Sequence, residues 1–334
     1  MTTARPMAPL PAARALDPAP RATTLIAASA HHSVRARAGR FWTWLLATTA
    51  ARAPRLIPVI GPFFRWFAWN CSPYTRSSTI ANARRILGPA ATDADCTRLA
   101  RRTLASFFTF ITEIGRNRRR TIQQILANVQ SIEGLEHYKA ARALKRGAIL
   151  AAAHLGPFES AVAGLREHEP KVHVVFRRDS KNNAFESLRR ALHNQLGLIE
   201  APVDVDPGTL GPWLGLRDAL ARDEVVLLQA DRCMPGQRGN PVPFLHGHLE
   251  LPPGPIKLAI ATGSPLIPVF SCWENSRVRI TMEEPIDATD PWPRTGGTHP
   301  ALLALARTIE KHVQQHPEQW LMFDPAFCED QESR

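Results

Sequence analysis

Short apolar runs alternate with amphipathic stretches along the chain from residue 147 onward. Apolar runs predict strands near residues 148–153, 172–176, 225–230, 265–272 and 277–282. Apolar residues at helical spacing predict helices near residues 157–168, 183–196, 212–222, 254–262 and 299–316. Strands that alternate with helices favour a layered α/β domain, with a central, mostly parallel β-sheet flanked by helices, and we expect it to cover residues 131–325.

The region before this domain, residues 39–130, is expected to be helical and to associate with a membrane. Its first part, FWTWLLATTAARAPRLIPVIGPFFRWFAW at residues 41–69, mixes aromatic residues with arginines and prolines. The interruptions make it too broken to cross a bilayer, which takes about 20 apolar residues in a row. Two interpretations stay open: an anchor lying in the interface of an anionic membrane, or helices packed on the α/β domain.

Residues 94–130 continue with apolar side chains at helical spacing and then a basic run, RNRRR, at residues 116–120. Cations are favoured at the C-terminal end of a helix by its dipole. The basic run is therefore interpreted either as a solvated helix end or as a contact with anionic headgroups.

The composition changes this picture at the N-terminus and in the overall charge. Residues 1–38 are rich in Ala, Pro and Arg without a sustained period, which predicts a flexible basic tail and no secretory signal. Lys and Arg number 41 against 30 Asp and Glu, for a formal charge of +11. Without a zinc-ligand spacing, a recognition helix or an aromatic RNA-binding motif, nucleic acid is not expected, and an anionic lipid surface or an acidic carrier protein fits better.

The cysteines give no structural framework. They are five, they are far apart, and none forms a CxxC pair, so neither disulfides nor a zinc site are expected. A reducing, cytoplasmic location follows. Two histidines in LHGHL, His246 and His248, lack a third ligand at suitable spacing, and no metal is expected.

The segment AILAAAHLGPFESAVAGL carries the candidate chemistry. It places His154 just past a predicted buried strand and Glu159 in the first turn of the next helix, after Gly156 and Pro157. The carboxylate could turn back onto the imidazole, fix its tautomer and make it a general base for a hydroxyl. A GxSxG elbow is missing and no cysteine is near His154 in sequence, so direct attack by an acceptor hydroxyl is the simpler hypothesis. The alternative is a buried histidine satisfied by the backbone.

Charged residues follow two further strands. Arg177 and Arg178 follow the strand at 172–176, where a guanidinium can bind phosphate or carboxylate, or form a surface salt bridge. Asp231 ends the run VVLLQA and is expected at the same sheet edge as His154. There it could orient Arg232 or Arg177, or serve only in a turn.

Three ordered blocks carry a family resemblance: HLGPFE; VFRRDSKNN; and LLQADRCMPGQRGNPVPFLHGHLELPPGPIKLAIATGSPLIPVF. Together they resemble the late acyltransferases of lipid A biosynthesis and their relatives that acylate phosphatidylinositol mannosides, over residues 40–323. Arg232 and the LPPGP segment are closer to the inositol-mannoside branch, and WLMFDPAF replaces the basic segment expected near the C-terminus.

The resemblance implies transfer of a fatty acyl group from acyl carrier protein or coenzyme A to a hydroxyl of a lipid or glycolipid, without a cofactor, at the cytoplasmic face of the inner membrane. It implies His154 as the general base with Glu159 as its partner. It also implies that substrate is bound by a further set of residues, Arg177, Asn182, Asp231 and Arg232. A hydrolase of acyl thioesters or lipids and a non-catalytic membrane-binding protein are the alternatives.

Overall fold

A computed structural model describes residues 41–176, 183–203, 210–233, 237–294 and 297–328, without the side chains of residues 183–185. These residues belong to one compact unit, Arg40–Arg334. The predicted basic tail of residues 1–38 lies outside the described residues, as do two of the predicted substrate-binding residues, Arg177 and Asn182.

A seven-stranded sheet in the order β1-β9-β8-β2-β5-β3-β4 forms the centre of the described structure. Neighbouring strands are parallel except for β8 and β9, which are antiparallel. The α/β class and the mostly parallel sheet are thereby confirmed. The strands are β1 (Val129–Glu133), β2 (Ala148–Ala152), β3 (Val172–Phe176), β4 (Ile199–Pro202), β5 (Val225–Gln229), β8 (Leu266–Glu274) and β9 (Arg277–Met282).

Helices cover both faces of this sheet, and they divide the core into two layers. Along β2, Ile149 and Ala151 face one layer while Ala148 and Leu150 face the other, which is why every residue of this strand is apolar. The flanking helices are α6 (Leu135–Ala143), α7 (Phe158–Arg166), α8 (Asn183–Leu196), α9 (Gly211–Ala221), α10 (Gly254–Thr262) and α11 (Pro300–Gln315). A 3-10 turn, Pro317–Gln319, follows α11.

The N-terminal region is helical, as predicted. It comprises α1 (residues 41–52), a 3-10 turn (Pro54–Leu56), α2 (Ile57–Cys71), α3 (Pro73–Leu87), α4 (Asp93–Asn117) and α5 (Ile122–Leu126). Leu46 and Phe64 are buried in the same core layer as α4, whereas Trp44, Phe63 and Trp66 are exposed. The segment therefore packs on the rest of the described chain and also presents aromatic side chains outward. None of the described helices has the length and apolar character needed to span a bilayer.

Three features were not predicted. Strands β1 and β4 form the two edges of the sheet, and a hairpin of β6 (Asn240–Phe244) and β7 (Gly247–Leu251) occupies a segment in which no strand is predicted. The two prolines of β6, Pro241 and Pro243, are exposed, and a strand with only one partner tolerates the missing N–H groups. Leu245, with φ of 52°, lies in the two-residue turn.

Candidate active site

The ends of β2 and β5 bring His154 and Asp231 together. These two strands are parallel neighbours, and their register pairs Ala152 with Gln229. His154 and Asp231 each follow two residues later, so they emerge side by side at the same sheet edge. The His154 Nδ1 and Asp231 Oδ1 atoms are 2.7 Å apart. The expectation that Asp231 shares the sheet edge of His154 is confirmed.

Asp231 is fully buried, and both of its carboxylate oxygens are occupied. While Oδ1 faces the imidazole, Oδ2 accepts hydrogen bonds from the His154 backbone N–H and the Trp320 indole N–H, each at 3.0 Å. Burial alone would raise the pKa of Asp231, but His154 and the positive charge of Arg232 hold this pKa well below its usual range. Asp231 is therefore a buried carboxylate that is absent from the lining of the pocket described below, and its expected role in substrate binding stays a prediction.

The state of the His154 ring follows from this carboxylate. An ionised carboxylate only accepts hydrogen bonds, so Nδ1 carries the proton and Nε2 keeps its lone pair. Burial and the nearby charge of Arg232 lower the pKa of His154, against the opposing effects of Asp231 and Glu159. Among the described residues, none forms a hydrogen bond with Nε2. The ring is thus neutral near pH 7 and has one unoccupied basic nitrogen.

The turn after His154 is fixed by the segment near the C-terminus. Gly156 has φ of +57°, and a Cβ there would lie 2.4 Å from the Ser271 carbonyl oxygen, so only glycine fits. The Gly156 N–H donates to the Gln319 carbonyl at 2.9 Å, and the Leu321 N–H donates to the His154 carbonyl at 2.8 Å. The WLMFDPAF segment therefore supports the candidate site.

Glu159 does not bind His154. Its Oε2 lies 2.7 Å from Nε2 of His193 on α8, and His193 Nδ1 lies 3.1 Å from Oε1 of Glu200. The expected Glu159–His154 hydrogen bond is wrong, because the first turn of α7 directs this carboxylate to α8. Burial would raise the pKa of Glu159, but His193 and Arg189 lower it overall, so Glu159 is ionised and still acts on His154 through its charge.

A pocket of about 1000 Å³ opens in front of His154. Glu159, Arg189, His193 and Arg232 contribute polar or charged groups to its wall. Most of the remaining wall is apolar and includes Phe107, Phe110, Phe158, Val162, Val174, Val175, Phe176, Trp213, Leu227, Leu321, Met322 and Phe323. A pocket that combines a large apolar surface with a basic nitrogen and several charged groups suits a long apolar substrate with a reactive polar end.

A smaller apolar cavity of about 40 Å³ lies beside this pocket, between α7 and the sheet. The two share four lining residues: Phe158, Val162, Leu227 and Gln229. The side-chain oxygen of Gln229 is buried there without a hydrogen-bond partner among the described residues. The pocket therefore borders on further apolar space beneath α7.

One group of side chains in the described part of the chain has the proximity needed for a metal site. Cys272, Glu274 and His316 offer ligand atoms within 4.8 Å of one another. Burial raises the pKa of Cys272 to about 11, which disfavours the thiolate, and Glu274 already accepts a hydrogen bond from Arg279 at 2.8 Å. The salt bridge to Arg279 therefore accounts for the position of Glu274, and the group is a poor metal site.

Known proteins resemble this chain over most of its length. The family model described as bacterial lipid A biosynthesis acyltransferase matches residues 30–328. The phosphatidylinositol mannoside acyltransferase of Mycobacterium tuberculosis is 27% identical over 297 residues, which cover 86% of this chain and 89% of the relative. That of Mycolicibacterium smegmatis is 25% identical over 196 residues, covering 59% of this chain and 62% of the relative.

Proposed function

The chain belongs to the bacterial lipid A biosynthesis acyltransferase family and is an acyltransferase, and we propose that it moves a fatty acyl group from a thioester onto a hydroxyl of a glycolipid. The donor is acyl carrier protein or coenzyme A. The observation that carries the proposal is the His154–Asp231 pair beside a large, partly apolar pocket, with no hydrogen-bond partner for His154 Nε2 among the described residues.

In the proposed reaction, the acceptor hydroxyl donates a hydrogen bond to His154 Nε2. As the oxygen attacks the thioester carbonyl, its proton moves to Nε2, and Asp231 stabilises the imidazolium that forms. When the tetrahedral intermediate collapses, the C–S bond breaks and the thiolate takes the proton from the imidazolium. General-base assistance of this kind contributes about 10²- to 10⁴-fold to the rate.

Negative charge on the carbonyl oxygen needs hydrogen-bond donors close to His154. The first turn of α7 begins four residues after His154, and the N-terminal amides of a helix lack intrahelical acceptors. Arg232 lines the same pocket and adds a positive charge. The Ser160 N–H already donates to the Pro157 carbonyl, which leaves the amides of Phe158 and Glu159 at the start of α7. We assign the oxyanion to this end of the pocket, with these two amides as donors and Arg232 as the supporting charge.

The acyl chain has a matching apolar surface. Phe110, Phe158 and Leu321 lie in the pocket wall together with His154, and the smaller cavity continues the apolar surface beneath α7. Burial of a methylene contributes about 0.8 kcal/mol, so a long chain is strongly favoured in such a groove. The thioester carbonyl is then held near His154, with the carrier outside.

The acceptor is proposed to be a phosphoglycolipid. Support comes from the names of the mycobacterial relatives, which act on phosphatidylinositol mannosides, and from the segments of this sequence that are closer to that branch. Arg177 and Asn182, which follow β3 in the sequence, are proposed to bind its polar head. Peripheral attachment to the cytoplasmic face of the inner membrane is also proposed, with Phe63 and Trp66 among the exposed aromatics.

The test is lipid mass spectrometry on cells with and without the gene, complemented with wild type, His154→Ala or His137→Ala. His137 is a partly exposed histidine that does not line the pocket, and it serves as the matched control. A lipid heavier by one acyl group is expected with wild type and His137→Ala and not with His154→Ala. Free fatty acid without an acylated lipid would instead indicate a hydrolase and contradict the proposal.

A further inference from the structure

A second cavity of about 740 Å³ lies between α2 and α4 and reaches the β8–β9 turn. Among the residues that the structure describes, none lines both this cavity and the pocket around His154. We call it the α2–α4 cavity. On one side, α2 contributes mainly apolar residues, Ile57, Pro58 and Pro62, together with Arg65. The opposite wall is formed by α4 and is mostly polar, although it also includes Ala105 and Phe108, so the cavity combines polar and apolar surface.

The polar residues of the α4 wall form a stripe along one side of the helix. Steps of three and four residues connect its members, which places them on one side of α4 and its C-terminal turn. They are Arg102, Ser106, Thr109, Glu113, Arg116 and Arg120. The stripe ends in the basic run 116–120, for which the sequence left open a solvated end or a contact with anionic headgroups.

Positive charge in the α2–α4 cavity exceeds the negative charge. Of its two acids, Glu318 pairs with Arg102 at 3.3 Å. The other, Glu113, accepts a hydrogen bond from the Trp273 indole at 2.8 Å, and burial raises its pKa. The charge of Arg120 lowers the pKa of Glu113 against the effect of burial, so Arg120 is close to this acid, whereas Arg65 and Arg116 form a salt bridge with neither acid.

Within the described part of the chain, Arg65, Arg116 and Arg120 form no salt bridge. Moreover, Arg116 Nε is buried without a hydrogen-bond acceptor among the described residues. A buried N–H of a charged group that lacks an acceptor is costly, and such groups normally find one. Because this Nε atom is closed off from solvent, an anion in the cavity would instead contact the guanidinium groups of Arg65, Arg116 and Arg120 where they line it.

The ligand that fits has a phosphate and an apolar part. Guanidinium groups bind phosphate oxygens in pairs, as Arg116 and Arg120 on the polar wall could do. The apolar wall of α2 suits the lipid portion, and Phe63 and Trp66, adjacent to the lining residues of α2, are exposed at 56% and 62%. Exposed aromatics on such a helix suit the headgroup level of a membrane.

We propose that the α2–α4 cavity binds the phosphate of one anionic phospholipid molecule, at a site separate from the catalytic pocket. Arg116 and Arg120 hold the phosphodiester, and the apolar wall of α2 contacts the first part of the acyl chains. Such a site fixes the enzyme on an anionic membrane through a specific lipid in addition to general charge attraction.

The test titrates purified full-length protein with dihexanoyl-phosphatidylglycerol below its micelle concentration, using calorimetry. Arg116→Gln/Arg120→Gln is expected to weaken binding by about tenfold or more, because both charge-assisted contacts are lost. The matched control is Arg118→Gln/Arg119→Gln, the same change of charge in the same run at two exposed residues outside the cavity lining. It is expected to weaken binding by less than about twofold. Equal weakening by both double variants would overturn the site.

Titrations with two other compounds identify the class of ligand. Dihexanoyl-phosphatidylcholine and inorganic phosphate are expected to bind much more weakly, and either one binding as tightly would overturn the assignment to an anionic phospholipid. Ser106→Phe narrows the cavity without changing its charge and serves if the arginine variant fails to fold. With a thermal melting temperature near wild type, Ser106→Phe is expected to lose the lipid, and undiminished binding would contradict the proposal.

Discussion

Two histidine–carboxylate pairs lie near the same pocket, and they differ in whether the second ring nitrogen of the histidine has a partner. His154 with Asp231 and His193 with Glu159 have the same separation of 2.7 Å. The His193 side chain is 1% exposed, and its second nitrogen lies 3.1 Å from Glu200. The His154 side chain is 18% exposed, and its second nitrogen has no partner among the described residues.

This difference distinguishes the proposed general base, His154, from a histidine with a structural role, His193. With a carboxylate at each nitrogen, the His193 ring donates from both when protonated, and no lone pair remains for a substrate. With one carboxylate at Nδ1, the His154 ring keeps a basic Nε2 beside the pocket. A short contact between a histidine and an acid therefore does not identify a catalytic pair, and the proposed general base requires in addition a free nitrogen at a pocket wall.

The largest effect is expected from removal of the free nitrogen. His154→Gln should lower kcat/KM by about 10³-fold, since the general base is lost. The protein should still fold, because the glutamine amide can donate to Asp231 in place of Nδ1. Initial rates of acyl transfer and thermal melting measure the two outcomes. Retention of more than about a tenth of the wild-type rate would contradict the role of His154.

The next largest effect is expected from Asp231→Asn. An asparagine can donate its amide to Nδ1, which forces the ring proton onto Nε2 and removes the lone pair. The loss in kcat is expected to be about 10²- to 10³-fold, with little change in KM, because Asp231 does not reach the pocket. Steady-state kinetics separates the two constants. A rise in KM with unchanged kcat would show that Asp231 binds substrate instead.

In the second pair, His193→Gln is expected to act on stability more than on catalysis. It removes the partner of buried Glu159 and weakens the α7–α8 contact, at a cost of about 3 kcal/mol in the free energy of unfolding. Below the melting temperature, activity should fall by less than about tenfold. Denaturant unfolding and rates at low temperature measure both. Wild-type stability combined with an activity loss as large as that of His154→Gln would reverse the comparison.

The smallest effect is expected in the pH profile. The base is the neutral ring, so kcat/KM should be full near pH 7 and fall as the pH drops through the lowered pKa of His154, below the ordinary 6.5. Arg232 is one cause of this lowering, so Arg232→Gln should move the acidic limb to higher pH by less than about one unit. The control is Arg217→Gln, a change at an exposed side chain of α9. A shift of the acidic limb to lower pH in Arg232→Gln would contradict the effect of Arg232 on the pKa of His154.

Much of the fold could be predicted from apolar patterning. The predicted strands and helices of the α/β domain are all present, since buried parallel strands such as β2 and β5 are continuous apolar runs. The edge strands were missed because VQSIE in β1 is partly polar and IEAP in β4 is short and ends in proline. The β6–β7 hairpin was missed because its prolines indicate a loop.

The site was predicted in part. His154 and Asp231 were both placed at the sheet edge from the ends of their strands, yet the partner of His154 was assigned to Glu159, five residues away. The true neighbour is 77 residues away in sequence and is set by the register of β2 with β5, which short-range spacing does not contain. His193 and Trp320 were missed because no motif connects them to the site.

The most direct test of the central claim is the ¹⁵N NMR spectrum of the histidine side chains, with the His154 signals assigned by their loss in His154→Gln. At pH 7 the ring of His154 is expected to be neutral, with the proton on Nδ1 and the lone pair on Nε2. In Asp231→Asn this tautomer should be lost, while in Glu159→Gln it should persist. An imidazolium at pH 7, or a tautomer that changes with Glu159 and not with Asp231, would contradict the account.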